Sequence, residues 1–475
     1  MHPSKDGMPR RLAEVVGERA APLVTVGGIG LVALAAAVAG APPLLVVIVC
    51  TLPLVIGLGR QGTYPLLVCL LVARATLDTS GGSVVTIGIA VAITGLGMLA
   101  LLSTSGVATP TALVVLVLFA SAGAGAPSNG ASNTYPEALR MVAGIAVVII
   151  ASQTSSRAGI DSIARSVQLI VLIPAVVAVY QYATGAGMLI SGSMRAYGTL
   201  SHPNSAAMLF ALANISTFVL VIRRRRGRWM NLALLALFLV AQAATGSIGG
   251  GGAMIAMVVM FLLAGSVRRA DRLLLTAATL AVGAFVALSS DVATQRIDEF
   301  TNPQADKPTS LEWRFSAWAD VLTAWRRHPV FGNGLGSTLA RTIVPGNIPH
   351  NEYVRLLAEV GVVGFAAVLG LAVGVAVMFR RVARISREPV AAAFGLSVLA
   401  GTAINALASN TLLYSPSFYT TLFILGGCWR VLRQSTIPPP LPGGGTTRVL
   451  QLAGPPLTSA PVTDPVAVAG HRRQG

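Results

Sequence analysis

The sequence predicts an all-α, polytopic transmembrane helix bundle with one large loop on the outer side of the membrane. Composition is the first reason: the 475 residues are 54% hydrophobic and only 11% charged, whereas soluble domains carry about 25% charged residues. The second reason is that apolar runs of about 20 residues, the length a helix needs to cross a bilayer, recur along most of the chain. The mean hydropathy of +0.73 agrees with both observations.

The apolar runs predict about 12–14 spans. The first run, at 21–40, follows a short basic segment and superficially resembles a signal peptide. Its length and the apolar runs that come directly after it favour a retained span instead. The predicted regions are a cytoplasmic tail at 1–20, a transmembrane domain at 21–432, and a disordered cytoplasmic tail at 433–475 that is rich in Pro, Gly, Ser and Thr.

Arginine clusters set the predicted orientation. They lie at 223–228, 268–272 and 380–384, between apolar runs. The positive-inside rule places such loops in the cytoplasm, which also puts both termini there if the protein lies in the cytoplasmic (inner) membrane. The net charge of +17 is therefore explained by topology, and no nucleic-acid partner is needed to account for it.

The outer side then receives three polar segments, at 124–137, 184–203 and 291–352. The first is rich in Ser, Asn and Gly and indicates a surface turn. The third is the longest, and loops of membrane proteins carry the water-facing chemistry. Within it, 311–328 has the pattern of an amphipathic helix with Trp residues, and 329–336 carries alternating glycines that suggest close backbone approach.

The outer loops hold the candidate chemical groups. His350 lies where the large loop meets the next span, and a histidine there can take a proton from a hydroxyl near neutral pH; alternatively it only anchors the helix end. The guanidinium groups of Arg195, Arg314 and Arg341 match phosphate oxygens bidentately. Contact with lipid headgroups or salt bridges to nearby acids is the alternative for each arginine.

Metal and disulfide sites are not predicted. Cys50, Cys69 and Cys428 all fall inside apolar runs, as small buried residues do. No pair of the five histidines has the spacing of metal ligands. We therefore expect no metal and no cofactor.

Four segments, in order, resemble the bacterial O-antigen ligase and polymerase superfamily of integral-membrane glycosyltransferases. Arg195–Asn204 resembles the family's outer Arg followed by Gly-Thr-Phe-x-x-Pro-Asn, and Thr245–Ser247 resembles its Thr-x-Ser segment. Arg314–Gly336 resembles the entry of its large loop, and His350–Gly364 resembles the His-Asn-x-x-Leu…Glu-x-Gly-x-x-Gly exit.

The resemblance implies a GT-C-like fold and a metal-independent glycosyl transfer with a polyprenyl pyrophosphate leaving group. It implies that His350 activates the hydroxyl of a glycan acceptor. The substrate- and pyrophosphate-binding residues that it implies are Arg195, Arg314, Asn204, Arg341 and Asn351. Further partners would be the bilayer and, in the assembly of surface polysaccharide or exopolysaccharide, a flippase and a chain-length regulator.

Three alternatives to a polymerase remain open at this point. A ligase would attach the finished glycan to a lipid or protein acceptor. A transporter or flippase of the lipid-linked glycan would carry polar groups at mid-membrane depth or two related halves. A scaffold without activity is the third, and it is favoured by Ile248, which stands where the family usually has Arg or Lys after the Thr-x-Ser segment.

Overall fold

The computed structural model describes residues 62–79, 82–103, 131–153, 159–190, 193–223, 227–264, 310–339 and 348–436. Outside these residues lie the predicted spans at 21–40, 42–59, 108–123 and 273–290, the predicted N-terminal tail, and residues 437–475 of the predicted C-terminal tail, whose first four residues, 433–436, belong to a helix. The domain boundaries at 1–20, 21–432 and 433–475 therefore stay predictions.

The described residues form eleven helices and one short antiparallel hairpin. The helices are α1 (Thr63–Thr76), α2 (Gly82–Ser103), α3 (Ala131–Gln153), α4 (Ile160–Thr184), α5 (Pro203–Arg223), α6 (Arg228–Ala244), α7 (Ile248–Ala264), α8 (Ser310–Trp325), α9 (Glu352–Ala383), α10 (Pro389–Ala408) and α11 (Ser415–Thr436). The hairpin pairs β1 (Met188–Ile190) with β2 (Ser193–Arg195). Five helices, α3, α4, α5, α9 and α10, are long and apolar enough to cross a membrane. The predicted all-α polytopic membrane protein is confirmed.

Helix α5 is the centre of the bundle. It packs against α4, α6, α7, α10 and α11, and 94% of its most apolar window is buried inside the protein. Small residues let the neighbours come close: a Cβ atom on Gly250 of α7 would lie 2.3 Å from the Cβ of Ala207 on α5. Such close packing of small residues is how helices associate in membranes.

The two ends of the bundle differ in chemistry. At one end Arg223 forms ion pairs of 2.9 Å with Asp161 and with Glu388, joining α5 to the starts of α4 and α10. The connections α4–β1–β2–α5, α6–α7 and α10–α11 meet at the other end, where Ala196 N–H donates to the Ala244 carbonyl. Arg223 and the arginines at the end of α9, Arg380 and Arg381, therefore lie opposite the connections that hold the candidate site residues.

One expectation for the polar segments needs correction, and one element within them was not predicted. The surface turn predicted at 124–137 is wrong from Ala131 onward, because α3 begins there and Glu137 is buried within it. The proline at 136 suggested a turn, but the helix tolerates it near its start, and paired cations compensate the carboxylate of Glu137. The β hairpin within 184–203 was not predicted from the sequence.

The loop after α8 docks on a break in α9. The amphipathic helix predicted at 311–328 is present as α8, and Ala317, Val321 and Ala324 form its buried face. Helix α9 is interrupted at Gly361, which has φ 65° and ψ −173°. Four backbone hydrogen bonds cross between the loop and this break: Asn333 N to Ala358 O, Gly334 N to Glu359 O, Val362 N to Pro329 O and Val363 N to Val330 O, at 2.8–3.2 Å.

The alternating glycines of this loop, Gly332, Gly334 and Gly336, all have positive φ. A Cβ on Gly332 would lie 2.4 Å from the carbonyl oxygen of Glu359. The close backbone approach predicted from these glycines is confirmed.

Candidate functional site

Arg195 is held in a fixed orientation at the end of β2. Its side chain is 8% exposed, its Nε donates to the carbonyl of Thr245 at 2.7 Å, and its Nη2 donates to Oδ1 of Asn204 at 3.1 Å. The hydroxyl of Ser247 donates to the same Oδ1 at 2.9 Å. Two segments that are far apart in the sequence, 195–204 and 245–247, therefore form one hydrogen-bonded unit around this guanidinium group.

His350 lies immediately before α9 in a strained conformation. Its φ is 46°, and among the described residues other than glycine it alone has a positive φ. The left-handed region costs a non-glycine residue roughly 1–2 kcal/mol, and such strain concentrates at functional sites. The preceding peptide is held by Trp318, whose Nε1 donates to the Pro349 carbonyl at 2.6 Å. The Trp313 ring lies 5.9 Å from the imidazole, centroid to centroid.

The imidazole of His350 is neutral, and one of its nitrogens has no partner among the described residues. Its Nδ1 is buried and has no hydrogen-bond partner within the described part of the chain. Burial lowers the pKa of His350 from its ordinary value of 6.5 to about 4, and the positive charge of Arg314 contributes in the same direction. The side chain is therefore neutral at physiological pH and keeps a lone pair.

The structure brings His202 into the same place. Its ring centroid lies 6.0 Å from that of His350. Burial is the main reason that the pKa of His202 is lowered to about 4, and His350, Arg195 and Arg314 each lower it further. Arg195, Arg314 and His350 thus converge around His202, although Arg195 precedes the other two by more than a hundred residues of sequence.

His202 was not predicted as a site residue from the sequence. The available signal was its position inside the Arg195–Asn204 segment, two residues before Asn204, but a single sequence does not show which member of such a segment faces the others.

A buried cluster of charges supports the start of α9 beneath His350. The guanidinium of Arg355 is fully buried and contacts Glu352 at 2.5 Å and Glu359 at 2.9 Å, with Glu137 of α3 at 3.8 Å. Arg140 pairs with Glu137. Removing one partner from such a buried pair costs about 3–5 kcal/mol, because it leaves an uncompensated charge.

The same carboxylates fix the connections that surround the site. One oxygen of Glu352 accepts a hydrogen bond from the backbone N–H of Leu412 at 3.1 Å, in the α10–α11 connection. Glu359 accepts from the hydroxyl of Thr338, in the loop that follows α8. The cluster therefore ties α3, α9 and both connections into one support for His350. This cluster too was missed by the sequence reasoning, which had treated Glu137 as part of a turn.

The remaining predicted site residues differ in their outcomes. Asn351 caps α9, because its Oδ1 accepts from the backbone N–H groups of Tyr353 and Val354 at 3.0 and 3.2 Å. Asn204 orients Arg195, as described above. A direct contact of either residue with substrate stays a prediction. Arg341 lies outside the described residues. Within the described ranges, no group of three His, Cys, Asp or Glu side chains is arranged to hold a metal ion.

The fold and this site define an integral membrane protein that gathers arginine and histidine side chains at one end of a helix bundle. Residues 234–369 match the family described as Wzy_C, O-antigen ligase. This match over part of the chain supports the predicted resemblance to the O-antigen ligase and polymerase superfamily, whose members are enzymes. The comparison with curated proteins gave no match.

The matched segment contains Arg314, Arg341, His350 and Asn351. It begins after Arg195, which therefore lies outside it. The tertiary contacts extend the site beyond it, because Thr245 and Ser247 inside the match hold residues 195–204 outside it.

Proposed function

We propose that this protein is a glycosyltransferase that polymerises polyprenyl-pyrophosphate-linked glycan at the outer face of the cytoplasmic membrane. The observation that carries the proposal is a neutral His350, with a buried and unpartnered Nδ1 among the described residues, beside the cation Arg314. A base and an anion-binding group side by side are what a transfer from a pyrophosphate to a hydroxyl requires.

In the proposed reaction the hydroxyl of the acceptor glycan attacks the anomeric carbon of the lipid-linked glycan. The bond between that carbon and the phosphate oxygen breaks, and its electron pair leaves with the polyprenyl pyrophosphate. The hydroxyl proton goes to Nδ1 of His350. Arg195 and Arg314 stabilise the charge on the leaving group, since guanidinium groups bind phosphate oxygens strongly. Pyrophosphate is a good leaving group, so these groups suffice in the proposal without a metal ion.

Substrate binding is expected to strengthen the base. Arg314 lowers the pKa of His350 in the protein without substrate. An anionic pyrophosphate beside Arg314 offsets that positive charge, which raises the pKa of His350 toward its ordinary value. The imidazole therefore becomes a better proton acceptor at the moment when the leaving group is in place.

The proposed location follows from the two ends of the bundle. The arginine-rich end, with Arg223, Arg380 and Arg381, is the cytoplasmic end by the positive-inside rule, so the site faces outward. A substrate there must first cross the bilayer, so we propose that a flippase supplies it and that a chain-length regulator acts with the polymerase during surface polysaccharide or exopolysaccharide assembly.

The test uses purified protein in liposomes with a polyprenyl-pyrophosphate oligosaccharide, and it measures released polyprenyl pyrophosphate and glycan length. The wild type should release the lipid and lengthen the glycan, with or without EDTA. His350→Ala and Arg314→Ala should both fold and stall. Exposed residues at the end of α8 supply matched controls: His328→Ala and Arg326→Ala should keep wild-type turnover.

Other outcomes separate the alternatives. A single transfer onto a lipid or protein acceptor, without longer glycan, identifies a ligase. Movement of the lipid-linked glycan across the bilayer without release of polyprenyl pyrophosphate identifies a transporter and contradicts the proposal. Equal turnover in His350→Ala and wild type removes His350 as the base.

A further inference from the structure

His202 has two contacts that fix its imidazole ring. The ring stacks on that of Tyr414, with centroids 6.2 Å apart and planes 14° from parallel. The Nδ1 atom accepts a hydrogen bond of 3.1 Å from the backbone N–H of Asn204 in the first turn of α5. Because the imidazole ring is held both at its face and at one edge, its free edge has a defined orientation toward a bound substrate.

The hydrogen bond to Nδ1 also determines the tautomer. An acceptor nitrogen carries a lone pair, so the proton of the neutral ring resides on Nε2. Burial and the three neighbouring cationic or imidazole groups keep the ring neutral at physiological pH, because they lower its pKa to about 4. The chemistry left to His202 is therefore that of one N–H donor at Nε2.

His350 has the opposite character. Its Nδ1 is buried without a hydrogen-bond partner among the described residues, so it can accept. The centroids of the two rings lie 6.0 Å apart, so both imidazoles can border one bound substrate. Arg195 and Arg314 both act on His202 electrostatically, so an anion that these arginines bind lies near His202 as well.

We propose that His202 is a further catalytic residue, whose Nε2–H donates a hydrogen bond to the pyrophosphate oxygen that leaves the anomeric carbon. The inference rests on the proposed glycosyl transfer. As the bond from carbon to oxygen breaks, the electron pair moves to that oxygen and the hydrogen bond from Nε2 strengthens. His202 keeps its own proton, and the proton of the acceptor hydroxyl goes to His350. A donor aimed at charge that develops during the reaction lowers the barrier more than it strengthens ground-state binding.

A purely structural role competes with this proposal. Because Nδ1 accepts from a backbone N–H in the first turn of α5, His202 could serve only as the N-cap of that helix. The two nitrogens separate the roles: a cap needs Nδ1, and the proposed contact needs Nε2–H.

Two substitutions isolate the two nitrogens. In His202→Asn the amide oxygen replaces Nδ1, so the cap is kept and the Nε2–H donor is lost. In His202→Gln the longer amide brings an N–H donor to the position of Nε2, while the cap is weakened. Both variants are made in the full chain, and thermal unfolding, kcat, KM and binding of polyprenyl pyrophosphate are measured for each.

The proposal predicts that His202→Asn unfolds at the wild-type temperature but loses about 10- to 100-fold in kcat, which is the usual effect of removing a hydrogen bond to a charged group. His202→Gln should recover at least part of this loss despite lower stability. Wild-type kcat in His202→Asn, together with a loss of stability in His202→Gln, overturns the proposal in favour of the cap.

The binding measurement keeps the two proposals separable. If the wild type shows no turnover, the proposed function fails, but weaker binding of polyprenyl pyrophosphate to His202→Asn than to wild type still supports the contact. Equal binding in that case overturns the contact too. If the wild type turns over and His202→Asn matches it in kcat and in binding, only the inference about His202 is wrong.

Discussion

Gly361 offers the sharpest structural test of how the site is assembled. Its φ of 65° and ψ of −173° fall in a region that only glycine occupies readily. A Cβ at this position would lie 2.3 Å from the carbonyl oxygen of Val330, where ordinary contact begins at 3.4 Å. Gly361→Ala therefore requires the loop after α8 to move by about 1 Å or more away from α9.

The decrease in the free energy of unfolding caused by Gly361→Ala can be calculated from these contacts. The strained backbone conformation costs a residue with a side chain about 1–3 kcal/mol. The four backbone hydrogen bonds between the loop and α9 contribute about 0.5–1.5 kcal/mol each when they are lost. The lower limits together give about 3 kcal/mol, which is a large part of the stability of a typical domain. Displacing this loop also displaces α8, and with it Arg314 and Trp318, so turnover should fall at least tenfold.

Thermal unfolding in detergent and the liposome assay measure these effects. Gly370→Ala is the matched control in the same helix, since no heavy atom lies within 4 Å of its added Cβ and alanine is favoured over glycine in helices by about 1 kcal/mol. The control should unfold at or slightly above the wild-type temperature and keep its activity, while Gly361→Ala unfolds several degrees lower. If the two variants behave alike, the docking of the loop on the helix break is not what holds the site.

Two further predictions concern His350. Its pKa of about 4 predicts that kcat/KM of the wild type stays high as pH falls through the ordinary histidine range near 6.5 and drops only near 4. In Arg314→Gln the pKa of His350, followed by NMR titration of the imidazole, should rise because the lost cation favours the imidazolium; an unchanged pKa would exclude Arg314 as a cause. Trp318→Phe removes the 2.6 Å hydrogen bond to the Pro349 carbonyl and should lower kcat about 3- to 10-fold without changing thermal unfolding. The control Trp325→Phe loses the 3.1 Å hydrogen bond to the Pro329 carbonyl and should keep wild-type kcat. Equal kcat in both variants would contradict a positioning role for Trp318.

The sequence by itself determined the class of the protein and most of its helices. Low charge and long apolar runs are local properties, because a helix that crosses a bilayer must satisfy its own backbone and present apolar side chains to lipid. The same holds for α8, whose apolar positions repeat with helical spacing. The ordered segments around Arg195, Arg314 and His350 also indicated the family that the match over 234–369 supports.

Predictions from local sequence patterns were wrong where contacts with distant residues determined the structure of a segment. Tyr135-Pro136 in a Ser- and Asn-rich context indicates a turn, yet Glu137 is buried because Arg140 and Arg355 compensate its charge. Arg355 lies more than two hundred residues away, so no local pattern reports this pairing. The hairpin before Arg195 was missed because each of its strands is only three residues long.

Only the tertiary structure decided which candidate residues share a site. Arg195, Arg314 and His350 stood as separate hypotheses in the sequence. The alternative was contact with lipid or a salt bridge for the arginines, and anchoring of the helix end for His350. Packing of the connections at one end of the bundle brings them around His202, since antiparallel helices return every second connection to the same end. Hydrogen-bond partners then set the chemistry of each group: the bond to Nδ1 makes His202 a donor at Nε2, whereas burial without a partner among the described residues leaves Nδ1 of His350 able to accept.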